Sequence, residues 1–329
     1  MTKTTLLLLF AFVFTHIHAQ QKPHVVKNLK ITILSTMLAQ EGIGEWGFAA
    51  LVEADSLKIL FDAGGRERTV LTNAKELKLD LSNITHLIFS HGHDDHTLGW
   101  LPLRQDASAK NKNALSVTHV APGFFDSRLI NGVWNTRRKN DSLLYTQTGG
   151  RIIEHAGFEE IFPGIYLTGG NVPRIYPEKN YPPGRQKKDT DGNVVEDIIQ
   201  EDMSLVIATE KGLVLLSGCG HSGLVNTVTF TQKNLPKQSL YAAIGGFHLL
   251  VDNDDQINWT AKQLKKAGLQ YFMGAHCTGI EPVYQIRNKV GLKKDQCIVG
   301  SVGATFDLTN GFISGQLTMG ENKKAYFRK

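Results

Sequence analysis

The chain has 329 residues, enough to bury a large core in one big domain or two smaller ones. Its 36 Lys and Arg stand against 31 Asp and Glu, and the +5 that results is scattered rather than run together, which argues against nucleic acid as a partner. Three cysteines, Cys219, Cys277 and Cys297, are too few and too odd in number for a disulfide framework.

In chain order, residues 1–20 read as an export signal: Lys3 gives the positive start, Leu6 to Phe14 the apolar middle, and Ile17-His18-Ala19 the cleavage site. The apolar stretch is short for a bilayer span, and no Cys follows it to carry a lipid. A retained anchor is the other reading of the same residues. No later segment is apolar over a membrane's width, so the expectation is a mature chain, 21–329, exported to the periplasm or secreted, with no transmembrane segment.

Leu29 to Thr36 alternates like a strand, and Gly47 to Ala54 with Leu57 to Phe61 predicts two more around a turn at Ala54-Asp55-Ser56. Thr69 to Leu79 has helical spacing, with Val70, Leu71, Ala74 and Leu77 on one side. An apolar strand, Ile84 to Phe89, then ends at Ser90 and gives way to His91-Gly92-His93-Asp94-Asp95-His96. Three imidazoles and two carboxylates in six residues are costly to bury, and a divalent cation is the usual compensation. The turn beyond a strand's carboxyl end is where open α/β sheets hold ligands. Gly92 lets the backbone bend so that His91 and His93 converge, while Asp95 and His96 point elsewhere and serve a second ion, which makes a two-metal centre the reading.

Leu115 to Val120 predicts another strand, with His119 at an edge or in a loop rather than on a metal. Ser127 to Glu154 is polar and carries no assignable pattern. Ile175 to Ile199, rich in Pro, Gly and charge, predicts a surface loop, either of the kind that forms a lid or a substrate wall or a disordered one without function. Met203 to Ala208 and Leu213 to Ser217 form a hairpin that runs into Gly218-Cys219-Gly220-His221-Ser222-Gly223. Leu240 to Gly245 leads into Gly246-Phe247-His248. Asp252 to Asp255 caps a helix that runs to Lys266 and stops at Gly268. Tyr271 to Gly274 delivers Ala275-His276-Cys277-Thr278-Gly279, and Cys297 to Phe306 reads as one late strand. Strands and helices alternate through both halves, the pattern of an α/β protein.

His91-x-His93-x-Asp95-His96 after an apolar strand resembles the signature of the metallo-β-lactamase superfamily. Glu45-Trp-Gly-Phe-Ala-Ala-Leu-Val-Glu53, Leu60-Phe-Asp-Ala-Gly-Gly65 and Ile165-Tyr-Leu-Thr-Gly-Gly-Asn-Val-Pro-Arg174 are similar to one branch of it, the metal-dependent hydrolases related to dihydropterin-methyl-aminobenzene-phosphate synthase. The resemblance implies a four-layer αββα sandwich, two mixed sheets between outer helices, in one catalytic domain. It also implies that Gly-Cys-Gly-His221 and His276-Cys-Thr-Gly are site loops, with His248 nearby. The simplest assembly puts one ion on His91, His93 and His221 and a second on Asp95, His96 and His276, each with an open position. Zinc suits this set, as one or two ions, with Mn2+ or Fe2+ as other ions such donors take. Asp62 is expected to accept a hydrogen bond from a ligand imidazole or from the turn's backbone.

The chain departs from the wider superfamily in three places. Thr97-Leu98-Gly99-Trp100 replaces a Gly-Gly pair, a change expected to alter the packing of the next helix. Asp202 stands near where a ligand histidine is common, and Cys219 stands where an aspartate bridges the ions. Cys219 is open to three readings: a thiolate ligand, a small buried residue, or a disulfide partner of Cys277. The expected chemistry is hydrolysis of an ester, amide or phosphoester bond in a small molecule, with Asp95 or Asp94 moving the proton and His248 steadying the oxyanion or ligating. The rivals are a pterin-related synthase or transferase and a metal-binding protein without turnover.

Overall fold

A computed structural model describes residues 24–178 and 180–313, so residues 1–20, read above as an export signal, lie outside the described residues. The amino-terminal half runs β1 (Leu29–Ser35), β2 (Ala49–Ala54), β3 (Leu57–Phe61), α1 (Thr69–Glu76), β4 (His86–Ile88), α2 (Asp94–Thr97), α3 (Trp100–Lys110), β5 (Val117–Val120), β6 (Arg128–Ile130), β7 (Val133–Asn135), α4 (Arg137–Gln147) and β8 (Arg151–Glu154). There follow β9 (Glu159–Phe162), β10 (Ile165–Leu167), β11 (Gln186–Lys188), β12 (Val194–Glu196), β13 (Leu205–Thr209), β14 (Gly212–Ser217), α5 (Leu224–Asn234) and β15 (Leu240–Gly245). The chain ends with α6 (Asp254–Ala267), β16 (Tyr271–Gly274), α7 (Ile280–Val290), β17 (Cys297–Val299), β18 (Thr305–Asp307) and β19 (Gly311–Ile313).

Two large mixed sheets stack face to face. One has eight strands in the order β19-β18-β1-β2-β3-β4-β5-β8, and the other seven in the order β17-β16-β15-β14-β13-β10-β9. Their central strands are apolar on both faces because both faces are covered, the reason they read as continuous runs rather than alternations. Between the sheets, Ile31, Ile33, Val52 and Phe61 share one core with Leu205, Ile207, Val214 and Ile244. Outside the first sheet, Val70 and Ala74 of α1, Trp100, Leu103 and Ala107 of α3, and Tyr145 of α4 cover Leu51, Leu60 and Phe89. Outside the second, Leu224 and Val228 of α5, Ile257, Ala261 and Leu264 of α6, and Val283 and Ile286 of α7 cover Val206, Leu215 and Phe272. These spacings of three and four residues put one stripe of each helix on its sheet. The architecture is the four-layer αββα sandwich.

The helix over 254–267 begins as its sequence suggests. Asn253 is its N-cap and accepts from Gln256 N–H at 2.9 Å, Asp254 and Asp255 fill the first turn, and Gly268 ends it. Such a cap stabilises a helix by about 1 kcal/mol. Trp100, at the departure from the Gly-Gly pair, is buried with its ring 5.3 Å from Phe89 and 4.8 Å from Tyr145, so the change is absorbed in the packing of α3.

Three expectations are corrected, and one unassigned stretch gains its elements. Cys297 to Phe306 is two strands in different sheets, β17 on the second and β18 on the first, with the chain crossing the sandwich between them. Ser127 to Glu154 folds into β6, β7, α4 and β8. Ile175 to Ile199 is not a plain loop, because β11 and β12 join β6 and β7 in a small sheet of order β12-β11-β6-β7. His119 sits neither at an edge nor in a loop: it is buried on β5, between β4 and β8. Its Nε2 meets His86 Nδ1 at 3.0 Å, its Nδ1 meets His155 Nε2 at 2.8 Å, and His155 Nδ1 meets Glu159 at 2.7 Å. A row in which each ring donates from Nδ1 to the next satisfies every bond in that chain.

Candidate metal centre

Strands β3, β4 and β5 run parallel in the first sheet, and β14 to β17 run parallel in the second. Their carboxyl ends open on the same edge of the sandwich. β3 delivers Asp62, β4 the 91–96 turn, β14 Cys219 and His221, β15 His248, and β16 His276 and Cys277. Asp62, His248 and His276 have positive φ, at 58°, 49° and 47°, a conformation that non-glycine residues adopt at some cost and that clusters at functional sites.

The 91–96 turn is held from below. Asp62 Oδ1 accepts Ser90 N–H at 2.8 Å, and its Oδ2 accepts Ser90 Oγ at 2.8 Å and His96 Nδ1 at 2.7 Å. Gly92 is required for space rather than for its backbone angle, since a Cβ there would lie 2.8 Å from Phe124 O. The next residues start α2, and the close turn of that helix brings Asp95 and His96 back toward the strand ends.

The structure brings His91, His93, Asp95, His96, Cys219, His221 and His276 into one cluster. Ring centroids lie 4.5 Å apart for His91 and His93, 4.7 Å for His91 and His221, and 5.0 Å for His96 and His276. Donor atoms of Asp95, His96, Cys219 and His276 lie within 4.8 Å of one another, as do those of His91, Cys219 and His221, and those of His91, His93 and Asp95. Cys219 belongs to two of these sets, between the halves of the cluster. Its Sγ is 3.1 Å from His96 Nε2 and 3.3 Å from Cys277 Sγ, and in this structure the two cysteines are unbonded thiols. His248 stands beside His221 at 4.8 Å between rings. Asp94 turns away to Arg138 at 2.8 Å, which leaves Asp95 as the carboxylate of the cluster.

Burial pushes His91 and His221 well below the ordinary imidazole range, helped by neighbouring rings, and takes His93 down to about 4. These rings are neutral and keep a lone pair. His96 goes the other way: burial lowers it, but the Asp62 and Asp95 carboxylates raise it to about 9. Burial raises Asp95, yet His96 and His276 hold it well below the usual carboxylate range. His276 Nε2 lies 3.1 Å from Asp95 Oδ2.

The fit to a cation rests on two bare atoms. His91 Nε2 and His221 Nε2 are buried with no hydrogen-bond partner, while each ring's Nδ1 is engaged, His91 at 2.9 Å from Ser90 Oγ and His221 on the carbonyl of Asn180. An unpartnered buried nitrogen costs about 1–3 kcal/mol, and a ring tied at one nitrogen with the other free is how a metal-ligating histidine is held. The neutral imidazoles of His91, His93 and His221, with the ionised carboxylate of Asp95 and a thiol, suit a borderline divalent ion.

Sequence reasoning missed the residues that brace His221. Asn180 supplies the carbonyl for its Nδ1, and the buried Glu178 accepts Val225 N–H at 3.0 Å and Asn226 N–H at 2.8 Å at the start of α5. Asp202 accepts Ser222 N–H at 2.9 Å, so at the place of the missing histidine it steadies the turn. Nothing local marks Glu178 or Asn180, whose partners lie more than 40 residues away. Trp46 was passed over as well, although its half-exposed indole lies 4.6 Å from the His276 ring. Beside the turn a cavity of about 200 Å³ is lined by His93, Asp94, Asp95, Arg138, Arg185 and Ile199, among others, so the 175–199 stretch forms part of its wall.

The description "Metallo-beta-lactamase superfamily" matches residues 47–202. The chain is 32% identical over 270 residues to the 7,8-dihydropterin-6-methyl-4-(beta-D-ribofuranosyl)-aminobenzene-5'-phosphate synthase of Methanocaldococcus jannaschii, covering 78% of this chain and 90% of that protein. It is 29% identical over 240 residues to an uncharacterized protein of the same organism, covering 73% and 86%. Among solved structures, Tm1679, described as a metal-dependent hydrolase of the beta-lactamase superfamily, superposes with a TM-score of 0.67 at 24% identity, covering 84% of this chain and 98% of that one.

Proposed function

The chain belongs to the metallo-β-lactamase superfamily, an enzyme fold that binds divalent metals, and from that premise we propose that it is an exported hydrolase with a zinc-type centre. Its substrate would be a small molecule with an ester, amide or phosphoester bond. The observation that carries the reading is the pair of buried, unpartnered nitrogens on His91 and His221, each aimed by a bond at the ring's other nitrogen. In this reading His91, His93 and His221, whose rings lie 4.5 to 5.1 Å apart, hold one ion, Asp95, His96 and His276 the other, and Cys219 stands between them.

A divalent ion held by these residues would supply a water acidified to a pKa of about 7 and a positive charge beside the bond to be cleaved. The protein supplies the rest. Asp62 fixes His96 so that its Nε2 faces the cluster, and Asn180 does the same for His221. Asp95, partly exposed at the mouth of the cluster, is the carboxylate placed to move a proton toward a leaving group. His248, beside His221, can donate to the oxygen on which charge develops. The cavity beside the turn, walled by 182–199 and the 126–138 segment, would admit the substrate and limit its size.

A second reading, a pterin-related synthase or transferase, is favoured by the 32% identity to a protein so named. The proposed export supports hydrolysis instead, because it would separate the chain from intracellular pterin intermediates. That export is read from the leader at 1–20. Among the described residues, no helix is long and apolar enough to cross a membrane.

The test is a panel of esters, amides, lactones, lactams and phosphodiesters assayed with and without chelator. Turnover that is lost on chelation and returns with zinc supports the hydrolase. Silence of the whole panel with metal bound points to metal binding without turnover, and condensation of a pterin with an aminobenzene phosphate points to the synthase.

A further inference from the structure

Cys219 and Cys277 lie on turns that follow β14 and β16, two strands that β15 separates. Their sulfurs nevertheless meet at 3.3 Å. The gap is closed across Gly246, the residue that follows β15, where a Cβ would come 3.0 Å from Cys277 Sγ. Cys277 Sγ also accepts His248 N–H at 3.3 Å, so the second thiol is held in place by the backbone of the intervening turn. Cys219 is shared by the two donor sets that also hold His91 with His221 and Asp95 with His96 and His276, whereas Cys277 joins only a third set, with Cys219 and His248. One sulfur therefore faces the proposed ions, and its neighbour lies behind it, against that sulfur, the His248 side chain and the turn.

We infer that Cys219 and Cys277 form a thiol-oxidation site in which a peroxide joins the two sulfurs and thereby withdraws Cys219 from the metal centre. The inference rests on the metal-centre reading above. A disulfide spans about 2.05 Å, so the sulfurs need to move together by about 1.2 Å. The chemistry balances in two steps. One thiol of the pair attacks a peroxide oxygen; the O–O bond breaks, that sulfur becomes a sulfenic acid, and one water leaves. The other thiol then attacks the sulfenyl sulfur, the S–S bond forms, and the hydroxyl departs with that thiol's proton as a second water. Hydrogen peroxide is reduced by two electrons and the thiol pair is oxidised by two. Once bonded to Cys277, the Cys219 sulfur no longer offers a thiolate to either half of the cluster, and the site loses affinity for at least one ion.

Cys297 provides an internal control. It is buried on β17 with its Sγ 3.5 Å from Val283 O, in the helix-covered core rather than at the strand ends. The experiment treats zinc-loaded and chelator-stripped protein with hydrogen peroxide, counts thiols in denaturant, maps peptides by mass spectrometry and measures zinc uptake after the peroxide is removed. The expected result is a fall from three thiols to one, a cross-linked peptide pair carrying 219 and 277, and faster oxidation of the stripped protein. Oxidised protein then takes up at least one ion fewer per chain, and dithiothreitol restores both thiols and uptake. Cys297→Ser should go from two thiols to none with the same loss of zinc uptake. Persistence of all three thiols, a bridge that includes Cys297, or full zinc uptake by the bridged protein overturns the inference. A reduced chain that takes up no metal overturns the metal-centre reading instead, a failure told apart because thiols are counted independently of zinc.

Discussion

Asp62 Oδ2 and His96 Nδ1 are 2.7 Å apart, and neither side chain has any exposure to solvent. The same carboxylate holds Ser90 through its backbone and its hydroxyl, so one residue fixes both the end of β4 and the direction of a ring six residues further on. Partners of this kind typically matter by 10–100-fold in metal affinity. Asp62→Ala is therefore expected to weaken zinc binding by about that factor, read by competition with a chromophoric chelator. An unchanged affinity would mean that Asp62 serves the backbone alone.

His91 and His93 start the cluster, with rings 4.5 Å apart. His91→Ala combined with His93→Ala should remove metal and turnover together while the far-ultraviolet circular dichroism stays that of the parent, because neither ring belongs to the apolar core. Elemental analysis is the check, and unchanged metal content would overturn the assignment.

The His86–His119–His155 row makes stability depend on pH. Burial first, then the neighbouring rings, pushes His119 down to about 3, and burial pushes His86 in the same direction. Both rings are depressed in the folded protein, so above the ordinary value of about 6.5 nothing is lost. As pH falls toward 3 the unfolded chain takes up protons that the folded one refuses, and stability declines by up to about 1.4 kcal/mol per pH unit for a single such ring. Urea unfolding at pH 7, 5.5 and 4.5 should show this slope, flattened in His119→Gln. Equal slopes in both proteins would discount the row.

Arg128 is buried between two carboxylates, Asp197 at 2.9 Å and the fully buried Glu201. Removing one member of a buried ion group typically costs about 3–5 kcal/mol, because the partners stay in the interior unpaired. Arg128→Ala should lose stability on that scale in urea unfolding and should loosen β6 from the 182–199 wall of the cavity. A loss well under 1 kcal/mol would show that the carboxylates had taken up protons or water.

How far the sequence reveals the molecule depends on what drives each segment. Leu240–Gly245 is a strand to the residue, and 254–267 a helix between its cap and its glycine, because apolar runs and end signals are local. The 91–96 turn is equally open to reading, since its donors stand side by side. The segment 127–154 hid three strands and a helix: Arg128 and Arg138 look like surface charge, yet they are buried by ion pairs with Asp197, Glu201, Asp94 and Asp141. No periodicity announces a pairing partner 44 or 69 residues away. Residues 297–306 failed for another reason, because a crossing from one sheet to the other needs only a short turn and leaves the apolar pattern nearly unbroken.

That crossing has a consequence for how the chain is made. β1 lies between β2 and β18, paired through Lys30 with Asp307 and through Ile31 with Phe306. Its partner on one side emerges from the ribosome within a few seconds, whereas its partner on the other is almost the last part of the described chain to be synthesised, at about 5–20 residues per second. Until then the opening strand presents a row of bare amides and carbonyls to anything nearby. Until Thr305 and Phe306 arrive, that side of β1 has no partner within its sheet, and an unpaired strand edge is where wrong pairings start.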